Sequence, residues 1–313
     1  MIAVVLSLVA SAMNALASVL QRRANQEESE QQRSMVRMVL ALARRPVWLG
    51  GIAAMMTGFA LEACALTLGR IALVEPLMIA ELPLTLIGTV FILHRRYAWS
   101  VWIAIVGFAA SLAVFLFALG PEGGHPEAVP LGTWLIAGSV NLGIAVACVL
   151  LGWRWRGPRA ALLGIATGLT FGLMSALISG AGAIYSHGGF ALLVSSWQTY
   201  AAIVVGPASF FLLQSALQAG RLVASQPGFT LMNPLASVFW GVLVFGESIR
   251  GGGWFVVALV AAAAVVAATL LLLWATERPR SGTGSSNSGG NDPEDRDAPS
   301  PRAGRPRSGF TSR

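Results

Sequence analysis

Apolar runs of about 20 residues recur from the N-terminus to position 275, separated by short polar connectors. A helix of that length crosses the ~30 Å of hydrocarbon in a bilayer. Nine such runs can be drawn: 2–20, 47–68, 71–93, 101–119, 132–152, 161–185, 190–213, 222–246 and 252–275. Short connectors make neighbouring helices antiparallel. The pattern predicts an all-α polytopic membrane protein of about nine transmembrane helices. Connector 120–131, with its glycines and prolines around His125, reads as an irregular outer loop.

The pattern also repeats. Residues 69–84 read GRIALVEPLMIAELPL and residues 220–235 read GRLVASQPGFTLMNPL. Without a gap, Gly69-Arg70 aligns with Gly220-Arg221, Pro76 with Pro227, and Pro83-Leu84 with Pro234-Leu235. Small residues recur at every fourth position in two other spans: Ala3, Ser7, Ser11 and Ala15 in the first, and Gly164, Gly168, Gly172, Ala176 and Gly180 in the sixth. Such stripes let helix backbones approach closely in lipid, and tight packing is their ordinary use. The segments Met13-Asn14-Ala15-Leu16 and Met174-Ser175-Ala176-Leu177 match around them. The chain therefore divides into a first repeat 1–119, a linking helix 132–152, a second repeat 161–275 and a polar tail 276–313. One helix between the copies turns the second over in the membrane, giving two inverted repeats, an architecture typical of alternating-access carriers. The tail is Gly-, Ser-, Pro- and Arg-rich and reads as disordered and cytoplasmic.

Charge fixes the orientation. The chain has a net charge of +7 and all 21 basic residues are arginine. On nine spans, 19 of these arginines fall on one side and only Arg70 and Arg250 on the other. The positive-inside rule then puts the N-terminus outside and the C-terminus in the cytoplasm, as expected of a multi-pass protein of the plasma (inner) membrane. That asymmetry explains the basic balance without nucleic acid; the partners are the lipid bilayer and a small-molecule or cation substrate, and a homodimer stays open. Ala15-Leu16-Ala17 resembles a cleavage site, but no basic residue precedes it and Arg22-Arg23 follow, so 2–20 reads as an uncleaved helix. Cys64 and Cys148 both fall inside spans and imply neither a disulfide nor a metal site. No cofactor is expected. The chain lacks lysine and a phosphate-binding loop, which excludes ATP-driven transport by this chain alone.

Three carboxylates lie within spans, Glu62, Glu75 and Glu81, and no span contains Arg or His. An acid at membrane depth must carry a proton, hold a cation or face water. Counting along the third span from its outer end puts Glu81 ~15 Å in, near the midplane, and Glu75 only ~6 Å in, while Glu62 lies ~9 Å deep in the second span. Glu81 leads on that ranking as a substrate or coupling residue, and Glu62 follows. Glu75 reads as standing in water or pairing with Arg70. The second copy offers the neutral Gln226 and Asn233 at the corresponding depth. Pro76, Pro83, Pro227 and Pro234 withhold donors from the carbonyls of Ala72, Ile79, Val223 and Thr230, which is tolerated where neighbours or a cavity re-satisfy them. Each proline read alone is a packing kink; their matched placement points to a site shared by the third and eighth spans. Trp48, Trp99, Trp102, Trp134, Trp153, Trp155 and Trp254 near span ends read as an interfacial belt. Spans without His, Asp or Arg do not supply a hydrolase or phosphatase constellation, so no enzyme activity is expected.

The segment NPLASVFWGVLVFGESIRGGGWFVVALVAAAA, 233–265, resembles the end of an EamA-type repeat of the drug/metabolite transporter superfamily, where a proline-bearing helix ends in Gly-Glu, here Gly246-Glu247, before a final Gly-rich helix. The first copy has the same outline with Arg95-Arg96 at the place of that pair. The nine-helix layout and Val74-Glu75-Pro76-Leu77 are similar to the NIPA-like magnesium transporters of the same superfamily, which have a small hydroxyl residue where Glu75 stands here. The first resemblance implies export of a small organic solute. The second implies a divalent cation such as Mg²⁺.

Overall fold

The computed structural model describes residues 1–27, 45–155, 157–219 and 222–277, with the side chains of 25–27, 222–227 and 273–277 outside that description. Ten α-helices follow one another: α1 Ile2–Glu27, α2 Pro46–Leu68, α3 Ile71–Met78, α4 Glu81–Leu93, α5 Trp99–Leu119, α6 Leu131–Arg154, α7 Arg159–Ser195, α8 Trp197–Gln218, α9 Leu222–Phe239 and α10 Gly253–Glu277. Taking α3 and α4 as one broken span, eight helical segments among the described residues are long and apolar enough to cross a membrane. Large apolar side chains such as Ile136, Val140, Phe211 and Leu259 stand exposed on them. Surface of that kind requires lipid rather than water. The chain is an all-α polytopic membrane protein.

Several predicted elements shift. The eighth run, 222–246, forms α9 and then a π-helical turn, Trp240–Val244. Among the residues whose side chains are described, its apolar part runs Gly228–Val244. The run predicted at 190–213 forms as α8 from 197, because α7 continues past Gly189, bends there at φ 67°, and ends only at Ser195. The Ser196 hydroxyl and that of Thr199, 2.8 Å apart, mark the restart. α1 runs on to Glu27, and α10 stays helical to Glu277, one residue beyond the predicted start of the tail; 278–313 lie outside the described residues.

Proline breaks the third span where its chemistry demands. Pro83 has no N–H and its ring crowds the carbonyl four residues back, at Ile79. The helix stops at Met78 and restarts at Glu81, with Ala80 N–H donating to Leu77 O (3.0 Å) and Leu82 N–H to Ile79 O (3.1 Å). Pro234, its counterpart, lies within a continuous α9; the second copy departs from α geometry only later, at Trp240.

α1 packs on α2 and against both halves of the broken span, α3 and α4. In the same way α7 packs on α8 and on α9. α3 meets α9, α5 meets α10, α6 leans on α7, and α2 also touches α7. The small-residue stripes sit at these crossings. Ala3, Ser7, Ser11 and Ala15 are buried, and the backbone at Gly168 lies so close to α9 that a Cβ there would sit 2.9 Å from Asn233 N.

Three connectors meet at one end of the bundle. Glu122-Gly123 (β1) and Glu247-Ser248 (β2) form a two-residue antiparallel ribbon, pairing Glu122 with Ser248 and Gly123 with Glu247. His125 N–H donates to Phe245 O at 2.9 Å, and Arg70 Nε donates to Gly123 O at 3.3 Å. Arg250 donates through Nη1 to Phe117 O (3.0 Å), with its guanidinium over the Phe117 ring. The predicted irregular loop thus carries a strand and a 3₁₀ turn, Pro126–Ala128.

Candidate functional site

The contact between α3 and α9 brings an acid from the first copy to an amide from the second. Asn233 Nδ2 donates to Glu75 Oε2 at 2.8 Å. Glu75 is fully buried, and it does not pair with Arg70, whose Nε is turned to the loop. The water-facing setting predicted for Glu75, and its pairing with Arg70, are therefore incorrect. Counting along the helix measures distance from its end, but that end is covered by the ribbon and by the π turn. The second oxygen of Glu75, the Asn233 carbonyl oxygen and the Ser237 hydroxyl are buried and have no hydrogen-bond partner. The Ser175 hydroxyl of α7 lies beside the same carboxylate.

Glu81 and Glu62 are half-buried. Glu81 starts α4 immediately after the break, and its Oε1 accepts from Ser18 Oγ of α1 at 3.4 Å. Glu62, in α2, is within electrostatic range of both Glu75 and Glu81. The three acids share one region, yet among the described residues no three His, Cys, Asp or Glu side chains converge to hold a metal ion. Pro76 lies buried inside α3, Pro83 is buried in α4, and Pro234 is buried beside Asn233 in α9. The backbone of Gln226 and Pro227 is helical, and their side chains lie outside the described residues. In α1, Ser11 Oγ donates to Ser7 O (2.8 Å) and reaches Leu77 O (3.3 Å) at the broken end of α3.

A residue that the sequence marks only as a family landmark holds the start of α3. Glu247 Oε1 accepts from Ile71 N–H at 2.9 Å and its Oε2 from Ala72 N–H at 3.1 Å. These amides are unpaired donors of a helix N-terminus, where a negative group is favoured. Gly241 in the π turn leaves the room: a Cβ there would lie 2.5 Å from Glu247 Oε2 and 2.9 Å from Ile71 Cγ2. Burial pushes the Glu247 carboxyl above the usual carboxylate range, against the opposing pull of the Ala72 and Ile71 amides and of Arg70. The signal available in the sequence is an acid following a glycine in a connector on the arginine-poor side.

One tryptophan departs from its predicted setting. Trp134 is buried rather than interfacial, packed on Trp240, Trp197 and Phe245 with ring centroids 5.2, 5.3 and 5.5 Å away. Trp240, wholly buried in the π turn, donates from Nε1 to Asn141 (3.3 Å) when that amide is turned to donate to Leu169 O (3.2 Å). The Trp134, Trp240 and Phe245 rings share a buried cluster with Ile71 and Val74 of α3. Trp99, Trp153 and Trp155 are exposed at helix ends.

No family model matches the chain, and no solved structure matches it. An uncharacterized protein of Corynebacterium glutamicum is 27% identical over 214 residues, covering 66% of this chain and 71% of that relative.

Proposed function

We propose that this chain is a secondary carrier of the drug/metabolite type that moves a small organic solute across the plasma membrane by alternating access, with its site between α3 and α9. The observation that carries the reading is the Glu75–Asn233 contact, a buried acid with no basic partner among the described residues, held across the two proline-bearing helices. Binding groups at the meeting of matched helices from the two repeats, one of them broken here, are the arrangement that inverted-repeat carriers use.

Packing supports two inverted repeats of four helical spans around the linking helix α6. The pair α1–α2 corresponds to α7–α8, and α1 on the broken span corresponds to α7 on α9, while α3–α9 and α5–α10 are pairs of equivalents. A two-fold axis in the membrane plane relates such sets. On this reading α9 with its π turn is the ninth crossing. The arginine-poor end, with Arg70, Arg250 and the ribbon, faces outward, and both the N-terminus outside and the C-terminus inside follow. The divalent-cation alternative has less support: the acids do not gather as a ligand set, and Mg²⁺ there relies on Glu75 and retained waters.

Two assays test the carrier. With Cys64→Ser and Cys148→Ser as background, a thiol introduced by Ser175→Cys reacts with impermeant maleimide from either face in turn, according to the imposed gradient. Everted vesicles energised with a proton gradient are then challenged with ethidium and with the standard amino acids, and the active probe loses its effect in Asn233→Leu. A thiol reachable from one face only, under every gradient, refutes alternating access.

A further inference from the structure

Two of the orphaned atoms at the α3–α9 contact belong to groups already bonded to each other. Glu75 Oε2 accepts from Asn233 Nδ2, while Glu75 Oε1 and Asn233 Oδ1, the remaining atoms of the same carboxyl and the same amide, are buried without a donor. Both are acceptors. An ionised carboxylate carries no hydrogen to offer, whereas a neutral carboxyl carries one. A carboxylic acid and a primary amide are complementary at two points: amide N–H to one carboxyl oxygen, and acid O–H to the amide oxygen. A single hydrogen on Oε1 would give Asn233 Oδ1 a donor and add a second bond between the same two groups.

We propose that Glu75 and Asn233 hold one proton between them, with Glu75 Oε1–H donating to Asn233 Oδ1, and that this proton is the ion coupled to transport. The coupling rests on the carrier reading above; the proton site does not. The groups facing Glu75 are compatible with it. α2 presents Glu62, a further acid, α7 presents the Ser175 hydroxyl, and α9 presents the neutral Asn233. Arg70, near the start of α3, is committed to Gly123 O, and Glu247 to the Ile71 and Ala72 amides. The cycle balances simply. When α3 and α9 part, the O–H bond breaks, the proton passes to water, and the electron pair stays on the carboxylate. Both carboxylate oxygens and the Asn233 amide then face the solute. Re-closure requires a proton to return to Oε1.

Infrared spectroscopy of the purified full-length protein in lipid nanodiscs tests this at neutral pH. The carbonyl stretch of a protonated carboxylic acid is expected, shifted in D₂O, with one component lost in Glu75→Gln and retained in Glu62→Gln and Glu81→Gln. The amide that Glu75→Gln introduces can pair with Asn233 through two N–H···O bonds, so this variant should fold; its thermal midpoint checks that. In Asn233→Leu the Glu75 component moves to higher frequency as its O–H loses the amide acceptor. An acid region unchanged by Glu75→Gln overturns the proposal, as does a Glu75 component indifferent to Asn233→Leu. A Glu75 signal that is carboxylate only, and responds to exchanging sodium for choline, overturns it in favour of a metal ion. If the infrared result holds and the thiol assay fails, the proton site stands and the carrier reading falls. If proton-driven ethidium or amino-acid movement continues in Glu75→Gln, the proton is resident and its coupling role is refuted.

Discussion

Removing the Glu247 side chain strips the start of α3 of its acceptors, and the cost follows from the contacts. Glu247→Ala leaves the Ile71 and Ala72 amides, bonded at 2.9 and 3.1 Å, without partners in a buried setting. Each orphaned donor costs about 1–3 kcal/mol, so the pair costs about 2–6 kcal/mol. Glu247→Gln keeps one oxygen and turns an NH₂ toward the other amide, for about half that loss. Gly241→Ala attacks the same bond from behind, since the added Cβ would lie 2.5 Å from the oxygen that receives Ala72. Its effect is therefore largely contained within that of Glu247→Ala, and the double variant falls short of the sum by about 1–3 kcal/mol. Unfolding of the purified protein in detergent micelles, followed by tryptophan fluorescence, reads all three. A Glu247→Ala variant within about 0.5 kcal/mol of the parent, or full additivity with Gly241→Ala, refutes the reasoning.

Three further outcomes follow. Because burial raises the Glu247 carboxyl, the native state binds its proton more tightly than the unfolded chain; its contribution is full below pH 4.5 and is lost as pH rises through the folded value, so the stability deficit of Glu247→Gln narrows with rising pH in parallel melts, and a widening deficit contradicts it. Gly168→Ala places a Cβ 2.6 Å from Met232 Cβ and 2.9 Å from Asn233 N, pushing α9 off α7 at a cost of about 1–3 kcal/mol in the same unfolding assay. Gly189 has open space around it but φ of 67°, so Gly189→Ala lowers stability through backbone strain alone, by roughly 1 kcal/mol, and a neutral result shows that the bend tolerates a side chain.

The sequence predicts the helical fold because length and apolarity are local properties. The break in the third span is also local, since Pro83 dictates a disrupted bond at Ile79 whatever surrounds it. The small-residue stripes reveal which faces meet without naming the partners. Glu75 escapes this kind of reading. The groups set against it come from α9 and α7, which bring Asn233 and Ser175 from remote parts of the chain, and depth along one helix carries no information about them. Trp134 is similar: near a span end it resembles a belt residue until α7 and the π turn close over it. The π turn itself has no periodic signature, and for that reason the second copy's irregularity is expected at Pro234 and found at Trp240.

The clamp on α3 has a consequence for biosynthesis. Ile71 and Glu247 are 176 residues apart, so at roughly 5–20 residues per second the ribosome supplies the acceptor about 9–35 s after the amides it must satisfy. Throughout that interval the nascent first half holds a half-finished helix end at the membrane surface. It cannot reach its final form until Glu247 has been made, so a first half made on its own leaves those amides without this acceptor.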